Sequence, residues 1–150
     1  MSGNGKPKFA MYWAASCGGC EIAVLDINEK ILDVIEKAVL ETGIRASLCY
    51  EVTDRGGEGK AQAGIEENVR MIEKLSDQPP GSQTSAMFGL HAGLTLSDDT
   101  LRKCRKMIPS GYGFHIHVAE HQSDEYKSLN QHGLRVIDRL DEQGITGHNS

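Results

Sequence analysis

Two short strings in the sequence combine residue types that can do chemistry. The first is Gly113-Phe114-His115-Ile116-His117-Val118-Ala119-Glu120. On an extended strand, residues two apart share a face, so His115 and His117 can look into one cavity. Glu120 falls just past the strand end, where parallel α/β folds place their active sites. An imidazole near a carboxylate at that position suits a metal ligand beside a general base. His91 closes an earlier apolar run, residues 86–90, and would add a third group at the same end of a sheet. The plainer alternative is that the histidines satisfy hydrogen bonds in a polar corner. The HxxE spacing from His117 to Glu120, with His91 nearby, favours the functional reading.

The second string is Ser16-Cys17-Gly18-Gly19-Cys20-Glu21, in a turn between a short apolar run (9–15) and a helix. Glycine lets both thiolates converge on one metal or cluster, and helix N-terminal amides stabilise their charge. Three chemistries compete. A thioredoxin-type redox pair is one, although Trp13 stands four residues before Cys17 rather than beside it. A zinc half-site would need a second Cys or His pair, and an iron–sulfur half-site would need further cysteines. The other cysteines, Cys49 and Cys104, are isolated in the chain, so no disulfide framework is expected and the protein reads as cytosolic.

These groups must be positioned by the elements around them. Apolar residues at Leu25, Ile31, Leu32, Ile35 and Val39 predict a helix over 22–40, stopped by Gly43. Residues 44–52 alternate apolar and polar as a strand does. A glycine-rich loop over 54–59 precedes a helix over 61–75, and irregular chain over 76–85 leads to a strand over 86–90. Ser97 is placed to cap a helix running through Leu101, Cys104 and Met107, with Asp98 and Asp99 in its first turn. A turn at 109–111, a strand over 112–118 and a helix from 123, broken near Gly133, complete the chain. From residue 44 the order is strand, helix, strand, helix, strand, helix. Such alternation predicts an α/β fold built of βαβ units with a parallel sheet.

The chain of 150 residues fits one domain of ordinary size. It carries 16 Lys and Arg against 21 Asp and Glu, a net charge of −5, which disfavours general nucleic-acid binding. No apolar run approaches the roughly 20 residues of a membrane-spanning helix, and no signal-peptide pattern is expected at the N-terminus. A small-molecule substrate is the expected partner, with neither nucleic acid nor membrane. Self-association through exposed sheet edges is a further expectation.

Two family resemblances sharpen these readings. The string Lys6-Pro7-Lys8-Phe9-Ala10-Met11-Tyr12-Trp13-Ala14-Ala15-Ser16-Cys17-Gly18-Gly19-Cys20-Glu21, running on to about Val34, resembles the start of the small subunit of nickel–iron hydrogenases of the methyl-viologen- or F420-non-reducing type. That resemblance implies that Cys17 and Cys20 are candidate iron–sulfur ligands of a [4Fe–4S] cluster. The family's later cysteine ligands have no counterpart here, so the ligand set is incomplete.

From about Leu32 onward the chain resembles the selenium-metabolism-associated aminohydrolases (SsnA type) of the amidohydrolase superfamily. The likeness lies in the string from Ala38 to Arg55, in Gly64-Ile65-Glu66-Glu67-Asn68-Val69-Arg70, in Phe88-Gly89-Leu90-His91-Ala92, in Phe114 to Glu120 and in Gly133-Leu134-Arg135-Val136. It implies a (β/α)₈ barrel that holds one or two divalent metals, zinc or iron. By the same resemblance His117 is a metal ligand, Glu120 the catalytic acid/base and His91 a substrate contact. His121, His132 and His148 match no family motif, and solvated or capping roles suit them better.

A full barrel needs about 250 residues, and the superfamily's first-strand HxH pair, next histidine ligand and late aspartate are missing. The expected organisation is therefore a hydrogenase-small-subunit-like element at residues 1–34 and a partial amidohydrolase barrel at residues 35–150, in a chimeric or fragmentary reading frame. The expected function is metal-dependent hydrolysis of a C–N bond other than a peptide bond, weak or absent in this chain alone. The alternative is an iron–sulfur electron-transfer protein.

Overall fold

The computed structural model of the chain describes residues 31–147. The predicted strand over 9–15, the turn bearing Cys17 and Cys20, the first part of the predicted helix and His148 lie outside the described residues. Helix α1 (Ile31–Thr42) ends as its sequence predicts. Gly43 takes a left-handed φ of 79°, and its N–H closes on Val39 O at 3.1 Å. Strand β1 (Ala46–Leu48) follows, then a 3₁₀ turn (Asp54–Gly56) capped by the Thr53 hydroxyl, and helix α2 (Glu58–Ser76). Strands β2 (Thr84–Ala86) and β3 (Phe88–Ala92) come next, then a second 3₁₀ turn (Gly93–Thr95) and helix α3 (Asp98–Met107). Strand β4 (Phe114–His117) and helices α4 (Gln122–His132) and α5 (Val136–Glu142) end the described chain.

All strand pairing among the described residues is parallel, as the alternating order predicts. β1 pairs with β2 from Ala46↔Thr84 to Leu48↔Ala86, and β3 pairs with β4 from Phe88↔Phe114 onward. Met87 separates β2 from β3, and its N–H still donates to Leu48 O at 3.0 Å. Residues 84–92 therefore form a middle line, with β1 and the single Val52↔Leu90 bridge on one side and β4 on the other.

The predicted strand over 44–52 is shorter in the structure, and the reason is one side chain. Asn68 of α2, fully buried, inserts its carboxamide between the two backbones. Its Oδ1 accepts from Tyr50 N at 2.8 Å and from Gly89 N at 2.9 Å. Its Nδ2 donates to Tyr50 O at 2.8 Å, to Gly64 O at 3.0 Å and to Gly89 O at 3.3 Å. The ladder is interrupted, but the N–H and C=O groups of Tyr50 and Gly89 that face the gap are satisfied, as a buried backbone requires. Close approach here needs glycine: a Cβ on Gly89 would lie 2.4 Å from Tyr50 O.

The apolar face of the sheet builds the core. Leu48, Val52, Phe88 and Leu90 pack with Ile65, Met71 and Ile72 of α2 and with Leu101 and Cys104 of α3. Phe88 and Phe114, paired in register, meet edge to face with ring centroids 5.3 Å apart. Helix α1 is fastened to α2 by ion pairs: Asp33 with Lys74 at 2.6 Å and Arg70 at 3.2 Å, and Glu36 with Lys74 at 2.5 Å. The loop expected over 54–59 is mostly ordered, because Thr53 caps the 3₁₀ turn and α2 already starts at Glu58.

Two expected outcomes follow from this packing. Asn68→Ala removes the partner of two backbone N–H groups at once, and each buried donor left unmet costs about 1–3 kcal/mol. Urea unfolding should show a loss of about 3 kcal/mol, larger than any surface change on α2. The Asp33 carboxyl is held below its ordinary range, first by the hydrogen bond from Lys74, which outweighs the opposing effect of burial, and then by the Arg70 and Lys74 charges. A depressed carboxylate contributes its stability above the unfolded value of about 3.9 and loses it as pH falls through the lower folded value. Amide exchange in α1 should therefore accelerate on acidification below about pH 4, and Lys74→Gln should raise the Asp33 titration midpoint read by carboxyl ¹³C shifts.

Candidate functional site

Strand alternation sorts the candidate residues before any side chain is considered. Phe114 and Ile116 turn toward the core, and His115 and His117 turn the other way and are exposed. The two imidazoles meet edge to face with centroids 5.7 Å apart, so the structure does bring the histidine pair together on one face. Glu120 lies three residues beyond β4, at the C-terminal end of the parallel strands, and is exposed. That is the end of the sheet at which parallel α/β folds act.

His91 reaches this end from β3, but not by simple alternation. A register shift between Leu90 and Ala92 makes His91 an extra residue, so His117 pairs with Ala92. Bulges of this kind re-aim side chains near functional sites. The His91 ring is held through Nδ1. Thr95 donates its hydroxyl to Ala92 O at 2.9 Å, so its oxygen accepts from His91 Nδ1–H at 2.8 Å. Nε2 faces Glu51 Oε1 at 3.4 Å. Among the described residues no hydrogen bond or ion pair joins His91 to His117 or Glu120.

The same face carries Cys49, whose Cβ would lie 2.9 Å from a Cβ on Gly89. Burial pushes the Cys49 thiol up, and the Glu51 charge pushes it further. Cys104 is fully buried in the core and its thiol is pushed up to about 12, chiefly by that burial. Both described cysteines are thus protonated thiols rather than ready thiolate ligands. Cys17 and Cys20 lie outside the described residues. Among the described residues no three His, Cys, Asp or Glu side chains gather into a group able to hold a metal ion.

Two further histidines lie among the described residues. His121 is the N-cap of α4, its Nδ1 accepting from Ser123 N at 3.2 Å, and His132 stands 3.4 Å from Asp98. A cleft of about 530 Å³ opens beside the site, between the turn after β3 and helices α4 and α5. Its floor includes Arg139, only 3% exposed, which donates to Asp98 at 2.8 Å, to Gly93 O at 2.8 Å and to Leu96 O at 2.7 Å.

Three residues shape the site in ways that sequence patterns do not show. Thr95, which holds His91, sits in no motif, and Glu51, inside the string Ala38 to Arg55, is recognisable as a neighbour of His91 only once the chain after β1 lies beside β3 at the Val52↔Leu90 bridge. Asp124 is the third: it is 2% exposed and its Oδ2 accepts from Ala119 N at 2.9 Å, in the turn before Glu120. An acidic residue in the first turn of a predicted helix was its one visible signal.

No protein-family model matches the chain. It is 37% identical over 117 residues to the 5'-deoxyadenosine deaminase of Methanobrevibacter smithii, covering 77% of this chain and 27% of that protein. It is 35% identical over 121 residues to the 5-methylthioadenosine/S-adenosylhomocysteine deaminase of Desulfitobacterium hafniense, covering 77% of this chain and 26% of that one. The structure superimposes on an adenosine deaminase from Xanthomonas campestris crystallised with bound zinc, with a TM-score of 0.63 and 21% identity over 76% of this chain and 26% of that chain. The chain spans about a quarter of the length of the curated relatives it matches. Among the described residues no helix is long and apolar enough to cross a membrane. The chain thus shares the fold of part of an adenosine deaminase, and its sequence is similar to a corresponding share of deaminases that act on adenosine-type molecules by name.

Proposed function

We propose that the chain carries a segment of an amidohydrolase-type (β/α) barrel, and that this segment serves hydrolysis of a C–N bond other than a peptide bond in a small adenosine-like molecule. The observation that carries this reading is the 37% identity over 117 residues to a 5'-deoxyadenosine deaminase. The placement of Glu120 at the C-terminal end of parallel β4 supports it. In this reading residues 35–150 are the barrel segment, and residues 1–34 are a separate element resembling a hydrogenase small subunit. The residue 34/35 boundary falls within α1, whose Asp33 pairs with Arg70 and Lys74.

The resemblance implies a divalent metal, zinc or iron, with His117 as a ligand. The described residues do not fit a complete site, because no third donor joins His115 and His117. His117 is one ligand in this reading, and the segment alone binds metal weakly. The chemistry assigned to this chain's own groups is proton transfer and orientation. Water adds to the ring carbon that bears the amino group, a C–O bond forms, the C–N bond breaks and ammonia leaves. Glu120 takes the proton from the water and returns it to the departing nitrogen. His91 contacts the substrate with its ring fixed by Thr95. An iron–sulfur function would rest on Cys17 and Cys20, and the thiols of both described cysteines, Cys49 and Cys104, are pushed up.

Nuclear magnetic resonance titration of the full chain with 5'-deoxyadenosine tests the reading. Shifts concentrated at His91, His117 and Glu120 are expected, and a titration that leaves all three unmoved would sink it. Zinc binding followed by calorimetry should be weak and should fall further in His117→Ala. Ammonia release by the chain alone should stay near background, whereas the counterpart of Glu120→Ala in a relative of full length should cost about 10²–10⁴-fold in rate. Robust deamination by this chain alone, abolished by Glu120→Ala, would show a complete enzyme instead of a segment.

A further inference from the structure

We propose that Asp124 is a positioning residue that ties the turn carrying Glu120 to the loop that follows His91. The roles of Glu120 and His91 rest on the function proposed above, but the tie itself stands on geometry. Ala119 has a φ of 55°, and it is the single non-glycine residue with positive φ among those described. Side chains other than glycine avoid this region, and such a residue persists only where its surroundings hold it. It sits between the end of β4 and Glu120, so its conformation sets the direction in which Glu120 leaves the sheet.

The holding group is the Asp124 carboxylate. Its Oδ2 accepts from Ala119 N at 2.9 Å, and the side chain is 2% exposed although it comes from the first turn of a surface helix. Its Oδ1 has no hydrogen-bond partner in the protein and is aimed at Gly93. A Cβ on Gly93 would lie 3.2 Å from that oxygen and 2.9 Å from Val136 Cγ2. Gly93 opens the turn two residues after His91, and Arg139 holds its carbonyl at 2.8 Å. One buried carboxylate is therefore wedged between the chain leaving β3 and the chain leaving β4. A buried carboxylate with one oxygen unpaired is unfavourable for folding. A site that needed only packing would be better filled by an apolar side chain.

A simpler role would be to place negative charge at the N-terminus of α4. The two roles separate on substitution, because asparagine keeps an acceptor for Ala119 and loses the charge, and alanine loses both. Amide exchange by nuclear magnetic resonance on the full chain reads the difference. In Asp124→Ala the Ala119 amide should exchange about tenfold faster or more, as loss of its part-buried hydrogen bond implies. The Gly89 amide, held by Asn68, should keep its protection. In Asp124→Asn the Ala119 rate should stay near that of the original protein. Ala119→Gly in the Asp124→Ala background should return the Glu120 backbone shifts toward their original values, since glycine adopts the left-handed turn unaided. If Asp124→Ala fails to fold, Gly93→Ala carries the test from the other loop, because its added Cβ crowds Oδ1 and should also speed Ala119 exchange.

An unchanged Ala119 rate in Asp124→Ala would overturn the tie, and so would equal loss of protection at Ala119 and Gly89. An accelerated Ala119 rate in Asp124→Asn matching that in Asp124→Ala would assign the residue to the helix terminus and overturn it too. Failure of 5'-deoxyadenosine to perturb His91 and Glu120 strikes the proposed function and not the tie, so the two failures are distinguishable.

Discussion

A single carboxamide holds the described structure together. Asn68 reaches from α2 into the sheet and answers the backbone of Tyr50 on one line and Gly89 on the next. Without it, the gap between β1 and the Val52 bridge would bury unpaired donors in the middle of a short sheet, where each costs more than an ordinary hydrogen bond gains. It also fixes the rotation of α2 over the sheet. With Asn68 pointing inward, Ile65, Met71 and Ile72 face Leu48, Val52 and Leu90, and Gly64 lies under the Tyr50 ring. The orientation of the main helix and the register of the middle line are thus one constraint.

That constraint reaches the candidate site through β3. Gly89 is fixed by Asn68, and two residues on, His91 bulges out of the ladder and meets Glu51 and Thr95. On the other side of β3, the pairing of Phe88 with Phe114 sets β4 so that His115 and His117 face away from the core. The C-terminal end of the sheet is built from departures from regular structure. A bulge carries His91, a left-handed residue precedes Glu120, and a buried Arg139 and Asp124 brace the turns between them. Regular ladders satisfy their backbone groups internally, and irregular chain must borrow side chains for the same purpose.

The pattern of apolar residues carried most of the architecture. Parallel pairing followed from the alternation of strand and helix, the Ser97 cap and the Gly43 stop appear where their residue types put them, and the alternation in 114–117 sorts the histidines onto one face. Each of these is local: a cap, a φ preference or a period of two depends on residues within a few positions. The short strands were less legible. Residues 44–52 alternate cleanly, yet the ladder stops at Leu48, because the competitor for its hydrogen bonds is a side chain eighteen residues away.

Sequence alone therefore determined the class of fold, the parallel order of the strands and which histidines and carboxylate lie at the C-terminal end of the sheet. Tertiary structure decided what each of those groups touches. That His91 would meet Glu51 and Thr95 rather than His117, that Cys104 would be sealed in the core with its thiol pushed up to about 12, and that Asp124 would be buried against Ala119 all depend on contacts between distant segments. Periodicity records which side of an element is apolar. It does not record which neighbour that side meets, because the same pattern fits any partner of suitable size, and polar contacts across the fold leave no periodic trace.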